Sequence, residues 1–131
     1  MKALDTSALI ALIAGERAAR QLLRRLRGSE LVTTELNLLE LSWCSHSMGE
    51  SRRKERTVAI EALRRKLTVL PIEGSAVREA TSALKAQRKR AGTPLPCAVM
   101  GALQASGCDE IFTDDPDSLA GKWRLKVTKL T

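Results

Sequence analysis

Lys2-Ala3-Leu4-Asp5-Thr6-Ser7-Ala8-Leu9-Ile10 opens the chain with a short strand that runs directly into a helix, and the reading of this corner decides the fold. Lys2 to Asp5 is the strand, the apolar run from Ala8 to Ala14 starts the helix, and Asp5, Thr6 or Ser7 offers a side-chain oxygen to cap it. A second acidic corner, Ile111-Phe112-Thr113-Asp114-Asp115-Pro116-Asp117, stands near the other end. In an open parallel α/β sheet the carboxyl ends of the strands converge on one crevice. Acids from opposite ends of such a chain can therefore meet around a cation.

The residues between these corners alternate helical and extended patterns. Gly15 ends or bends the first helix. Glu16 to Arg27 carries an apolar stripe, Ala18, Ala19, Leu22, Leu23 and Leu26, with arginines opposite and Gly28 as C-cap. Leu31 to Thr34 reads as a strand and Glu35 to Met48 as a helix whose leucines and Trp43 cover most of its circumference, which predicts burial on nearly all sides. Gly49-Glu50-Ser51 reads as a turn, Arg52 to Lys66 as a basic amphipathic helix, Leu67 to Ile72 as a strand and Ala76 to about Arg90 as a helix. Gly92-Thr93-Pro94-Leu95-Pro96 is expected to be a loop, Cys97 to Ser106 a helix closed by Gly107, and Glu110 to Thr113 a strand. Pro116 to Leu119 makes a short helical turn before a last strand, Leu125 to Thr128. The alternation predicts one domain over residues 1–131, a three-layer α/β/α fold around a parallel sheet of about five strands.

Composition narrows the function. The chain has 131 residues, 44% of them hydrophobic, enough for an ordinary core. Its longest apolar stretch near the N-terminus, Ala8 to Ala14, is far shorter than a membrane span, so a soluble, cytoplasmic protein with no membrane partner is expected. Neither GxGxxG nor GxxxxGK[ST] occurs, which argues against a nucleotide cofactor. Cys44, Cys97 and Cys108 are odd in number and widely spaced, the pattern of reduced thiols. Twenty-two Lys and Arg against fifteen Asp and Glu leave a net charge of +7. The basic residues fall in blocks, Arg17 to Arg27, Arg52 to Lys66, and Lys85 to Arg90, and a polyanion such as RNA is the partner they suit.

Among the acids, Asp5 reads equally as a helix cap or a metal ligand. Asp114, Asp115 and Asp117 repel one another unless a cation or basic neighbours compensate, although solvated turns also collect such residues. Glu40, between Leu39 and Leu41 in the most apolar helix, is costly there unless paired or metal-bound, and is the most informative single acid. Glu35 suits the N-terminus of that helix. His46, the only histidine, has no motif around it that would make a catalytic dyad. Trp43, Phe112 and Trp123 are too few for a base-stacking platform and read as core or interface anchors.

At these positions the sequence resembles the PIN-domain ribonucleases. Leu4-Asp5-Thr6-Ser7, Glu40 in a Leu-Leu-Glu-Leu helix, and Thr113-Asp114-Asp115-Pro116-Asp117 follow the family's order, and the spacing and length are similar to the small toxins of VapBC-type toxin-antitoxin pairs. The resemblance implies a metal-dependent endoribonuclease using Mg²⁺ or Mn²⁺. It makes Asp5, Glu40 and Asp115 the metal-binding catalytic acids, Asp117 an outer member, Asp114 a further candidate and Thr113 a polar support. It also implies a homodimer and an antitoxin partner that threads a basic residue into the acidic crevice. One acid of the family pattern is missing: Cys97 stands where an aspartate ordinarily precedes an Ala-rich helix. Loss of a hard oxygen donor should lower Mg²⁺ affinity and harm a two-metal arrangement most. The alternative is therefore a catalytically weakened domain that binds RNA or protein. Cys44, one turn after Glu40, raises the further idea of a mixed Cys/carboxylate zinc site with Cys97.

Overall fold

The computed structural model describes residues 1–85 and 93–130. The elements follow in the order β1 (Lys2–Leu4), α1 (Thr6–Ile13), α2 (Arg17–Arg25), β2 (Leu31–Thr34), α3 (Glu35–His46), α4 (Glu50–Lys66), β3 (Thr68–Leu70), α5 (Gly74–Lys85), α6 (Pro94–Ala105), β4 (Glu110–Thr113), a 3₁₀ turn (Pro116–Leu119) and β5 (Lys126–Lys129). The five strands form one sheet in the order β3-β2-β1-β4-β5. Every neighbouring pair is parallel, with Leu4 opposite Phe112, Thr34 opposite Leu70 and Thr113 opposite Lys129. From β1 the chain first adds strands on one side, then crosses to add β4 and β5 on the other. The switch point between β1 and β4 is where a parallel sheet opens a crevice at its carboxyl edge.

Because side chains alternate along a strand, each strand feeds both faces of the sheet. Leu4 and Phe112 join Leu9, Leu22, Leu38, Leu41 and Ile60 in one core. Their neighbours Ala3 and Ile111 join Val32, Val99, Met100, Leu103 and Leu125 in a second core on the opposite face. Two cores separated by one sheet make the three-layer α/β/α architecture that the alternation of elements predicts. Each fully buried leucine or isoleucine contributes about 1.5–3 kcal/mol.

The layer beneath α6 depends on small residues. Ala76, Ala80 and Ala83 are buried along one side of α5, and a Cβ at Gly101 of α6 would collide with the Ala76 carbonyl oxygen and crowd the Ala80 methyl. Glycine is required there by the approach of two backbones. Elsewhere, Gly15 turns the chain from α1 to α2 at φ +70°, a left-handed conformation that glycine adopts without strain.

Several sequence expectations are corrected. The segment from Thr93 to Pro96 is not a loop throughout: α6 begins at Pro94, with Thr93 as N-cap. Both prolines lie in the first turn, where the missing N–H has no intrahelical acceptor to lose. Glu50 and Ser51 belong to α4 rather than to a turn, and α5 starts at Gly74 rather than Ala76. The expected end of that helix near Arg90, and Gly92, lie outside the described residues. The third strand is shortened to Thr68–Leu70 and the fifth is shifted by one residue to Lys126–Lys129. Helix α3 is not buried on most sides: Asn37, Leu38, Leu41 and Ser45 face inward, while Leu39 is 62% and Trp43 78% exposed. Leu39 and Trp43 are one turn apart and share an outer stripe. No helix among the described residues is long and apolar enough to cross a membrane.

Candidate active site

Asp5 leaves β1 at the switch point and becomes the N-cap of α1, its Oδ1 accepting from the Ala8 N–H at 3.0 Å. The cap and ligand readings of this residue are thus compatible, since one carboxylate oxygen serves the helix. Ser7 Oγ also donates to Asp5 Oδ1, at 2.7 Å. Asp5 is buried, and burial pushes its carboxyl above the usual aspartate range, opposed by hydrogen bonds from Thr113, Ala8 and Ser7. A carboxylate placed this way is costly to ionise without a compensating cation.

The second acidic corner is tied to the first through hydroxyls. Ser7 Oγ lies 3.3 Å from Thr113 Oγ1 at the end of β4 and accepts the Asp114 N–H at 2.8 Å. Thr113 Oγ1 accepts the Asp115 N–H at 3.1 Å, and Ser118 Oγ donates to the Asp115 carbonyl at 2.8 Å. Thr113 is buried, whereas Asp114, Asp115 and Asp117 expose their side chains. Their compensating partner is therefore solvent, a bound cation or a ligand rather than the core. Lys129 stands opposite Thr113 in the sheet and adds a positive charge at the same edge.

Glu40 comes from the middle of α3 and is half-buried. Thr6, the first residue of α1, donates its hydroxyl to Glu40 Oε2 at 2.5 Å and accepts from Asn37 Nδ2 at 3.1 Å. Asn37 is 4% exposed, its Oδ1 held by the Thr34 hydroxyl at 2.8 Å. The adjacent hydroxyls of Thr6 and Ser7 thus diverge, one toward Glu40 and one toward Asp5 and the β4 corner. In the sequence, Thr6 and Ser7 read as alternative caps within the Leu4-Asp5-Thr6-Ser7 motif, and no motif singles out Asn37. The recoverable signal was the spacing of Asn37 and Glu40, three apart and on one helical face.

The remaining candidates are placed elsewhere in the fold. Glu35 is exposed in the first turn of α3, as its dipole reading predicts, with Thr34 as the cap. His46 is exposed in the last turn of α3 and lines a groove with Arg53, Thr57 and Ile60 of α4. Trp123 is half-buried and Phe112 buried, as anchors should be, while Trp43 is a surface residue. The arginines of α2 are all exposed. In the third basic block, Arg88, Lys89 and Arg90 lie outside the described residues.

Cys97 occupies the first turn of α6 and is 9% exposed. It lines a mostly apolar pocket with Pro96, Met100, Ser118, Leu119, Ala120 and Trp123, beside the 3₁₀ turn that follows Asp115. Cys44 is exposed on α3. Among the described residues no group of three or more His, Cys, Asp or Glu is positioned to hold a metal, so the mixed Cys/carboxylate zinc site is not assembled.

The same observation limits how a hard cation can fit. Asp5, Glu40 and the aspartates of the β4 corner supply the oxygen donors that Mg²⁺ or Mn²⁺ prefers. They do not form a closed cage of three protein ligands. They suit an ion held by one or two carboxylates, with the remaining positions filled by water and substrate phosphate, which is a common state for protein-bound Mg²⁺.

Residues 2–120 match the PIN domain family, and the chain belongs to it. Among solved structures, the DNA-bound VapBC of Salmonella typhimurium superposes with a TM-score of 0.80 at 16% identity, covering 99% of this chain and 98% of that one. VapBC-5 of Mycobacterium tuberculosis, from the VapBC family of toxin-antitoxin systems, gives 0.70 at 20% identity over 98% and 97%. VapC20 of the same organism, a sarcin-ricin loop cleaving toxin, gives 0.62 at 17% identity over 88% and 92%. No curated protein sequence matches the chain.

Proposed function

We propose that this PIN domain is a metal-dependent endoribonuclease acting as the toxin of a toxin-antitoxin pair. The observation that carries the proposal is that adjacent hydroxyls at the carboxyl end of β1 bond different acidic segments, Thr6 bonding Glu40 and Ser7 bonding Asp5 and the Asp114 N–H. One or two of Asp5, Glu40 and Asp115 would hold Mg²⁺ or Mn²⁺ directly and the rest through water, with Asp117 and Asp114 at the rim. A bound divalent ion would supply an activated water and charge stabilisation for phosphodiester cleavage. The protein's own part is to hold Asp5 in a buried place where a cation would favour its ionised form, to hold Glu40 in one orientation, and to gather RNA on its exposed arginines and lysines. The names of the similar structures, which include toxin-antitoxin complexes and a toxin that cleaves the sarcin-ricin loop, support the reading.

The test is cleavage of a mixed set of structured RNAs with Mg²⁺ or Mn²⁺, against EDTA and Asp5→Asn. Metal-dependent cutting that disappears in Asp5→Asn is expected. An antitoxin and a homodimer complete the proposal, in a single domain working in the cytoplasm. The exposed Leu39 and Trp43 are the kind of apolar surface that a partner covers. A sedimenting species that stays monomeric at all usable concentrations would remove the dimer.

Cys97 favours a second reading, a weakened nuclease that retains binding. Its thiol offers no hard oxygen where the family pattern has an aspartate. Cys97→Asp separates the two readings. A large gain in cleavage would mark the native site as impaired, and an unchanged rate would mark it as sufficient.

A further inference from the structure

Hydrogen bonds join Thr34, Asn37, Thr6 and Glu40 in a chain that ends on a carboxylate able only to accept. Thr34 Oγ1 accepts the Asn37 N–H at 3.2 Å as the cap of α3 and donates to Asn37 Oδ1 at 2.8 Å. This fixes the orientation of the Asn37 amide and directs Nδ2 to Thr6 Oγ1 at 3.1 Å. Thr6 has one proton and two acceptors in reach, the Asn37 carbonyl at 3.4 Å and Glu40 Oε2 at 2.5 Å. The short, charge-assisted contact takes it. All three side-chain donors then point the same way, from the buried end of β2 to the carboxylate.

We infer that Thr6 and Asn37 are positioning residues for Glu40, a relay that holds this carboxylate in one orientation toward the crevice through Oε2. The inference rests on the reading of Glu40 as a metal-directed acid and deepens it. A helix side chain as long as glutamate has several rotamers open to it, and ordering one of them on ion binding costs affinity. A partner that orders it in advance removes that cost, which is the general effect of groups that orient metal ligands. The relay is anchored on two rigid elements, the β2–α3 cap and the first turn of α1, so it also sets the distance between the helix that carries Glu40 and the one that Asp5 caps. A plain tie between α1 and α3 would use the same bonds but would leave ion affinity unchanged once the protein is folded.

The experiment is a Mn²⁺ titration of the full chain without RNA, followed by the electron paramagnetic resonance signal of unbound Mn²⁺. Thr6→Val keeps the side-chain shape and removes the donor, and is expected to weaken Mn²⁺ binding about tenfold. Thr6→Ser, which restores the hydroxyl, should bind within about twofold of the native chain. Glu40→Gln should bind at least as weakly as Thr6→Val, and adding Thr6→Val to it should change nothing further, because the two act through one carboxylate. Thermal unfolding accompanies each variant, and Asn37→Leu carries the same test if Thr6→Val does not fold. Native affinity in folded Thr6→Val or Asn37→Leu, with weak binding in Glu40→Gln, overturns the relay and leaves the metal reading standing. Native affinity in Glu40→Gln overturns the metal reading of Glu40 and the relay with it.

Discussion

Asp5 shows at the scale of one residue how a functional group opposes stability. Burial raises its carboxyl above the ordinary 3.8, so the folded state binds this proton more tightly than the unfolded chain does. The sign follows: Asp5 favours folding below about pH 3.8 and disfavours it increasingly as pH rises toward its folded value, a penalty that persists at neutral pH. Asp5→Asn, which keeps a good N-cap, should therefore unfold at higher urea than the native protein at pH 7 in EDTA, with the gap narrowing at acid pH. The same variant should lose metal-dependent cleavage by more than about 100-fold. Cys97→Asp is the converse case. A carboxylate in the Pro96, Met100, Leu119 and Trp123 pocket should lower stability by about 2 kcal/mol in EDTA. Part of that loss should return in Mg²⁺ if the new acid reaches the ion, and paired melting curves in the two buffers would measure it.

At the scale of elements, the close packing of α5 on α6 and the edges of the sheet carry separate predictions. Gly101→Ala forces a methyl against the Ala76 carbonyl, and backbone cannot yield as a flexible side chain does. A loss of about 1–3 kcal/mol is expected by chemical denaturation. At the amino edge of the sheet, Glu110 of β4 receives Lys2 from β1, and Thr128 and Lys126 from β5. Burial alone would raise its carboxyl, but the Thr128 hydroxyl and the two lysines outweigh it and hold the group below its usual range. This stabilisation is present above the unfolded glutamate pKa of 4.5 and is lost as pH falls through the lowered folded value. Glu110→Gln should cost about 1 kcal/mol at pH 7 and progressively less as pH falls below 4.5, as read from unfolding across an acid pH series. These elements also show why strand and helix types were legible while their ends were not. Pro94 and Pro96 read as a loop because proline breaks a helix interior, yet in a first turn it breaks nothing.

At the scale of the molecule, charge is divided by sign. The β4 corner presents Asp114, Asp115 and Asp117, while α2 and α4 expose a large share of the arginines. An RNA gripped by those helices would be held by phosphate contacts, so the logarithm of its binding constant should fall linearly with log salt, by about 0.7 in slope for each phosphate neutralised on a single strand. Fluorescence anisotropy of a labelled RNA between low and physiological salt measures it, and a flat response would remove the basic helices from the binding surface. Trp43 and Leu39 lie outside this charge pattern, on the outer stripe of α3.

The sequence by itself determined the alternation of strands and helices, the parallel three-layer fold, and Asp5, Glu40 and the cluster of Asp114, Asp115 and Asp117 as the acids to watch, with Asp115 singled out by the family resemblance. Those features are written locally, in apolar period, capping residues and charged residues set in apolar runs. Only the tertiary structure decided which faces of α3 are buried, because leucines on two sides of a helix look alike until a neighbour covers one of them. Only it joined Thr34, Asn37 and Thr6 to Glu40, since residues 31 positions apart meet through the crossing of α1 and α3 and leave no pattern in the chain. The lining around Cys97 was hidden for the same reason: Leu119 and Trp123 reach it through the packing of the 3₁₀ turn against α6, a contact set by the fold and not by neighbours in sequence.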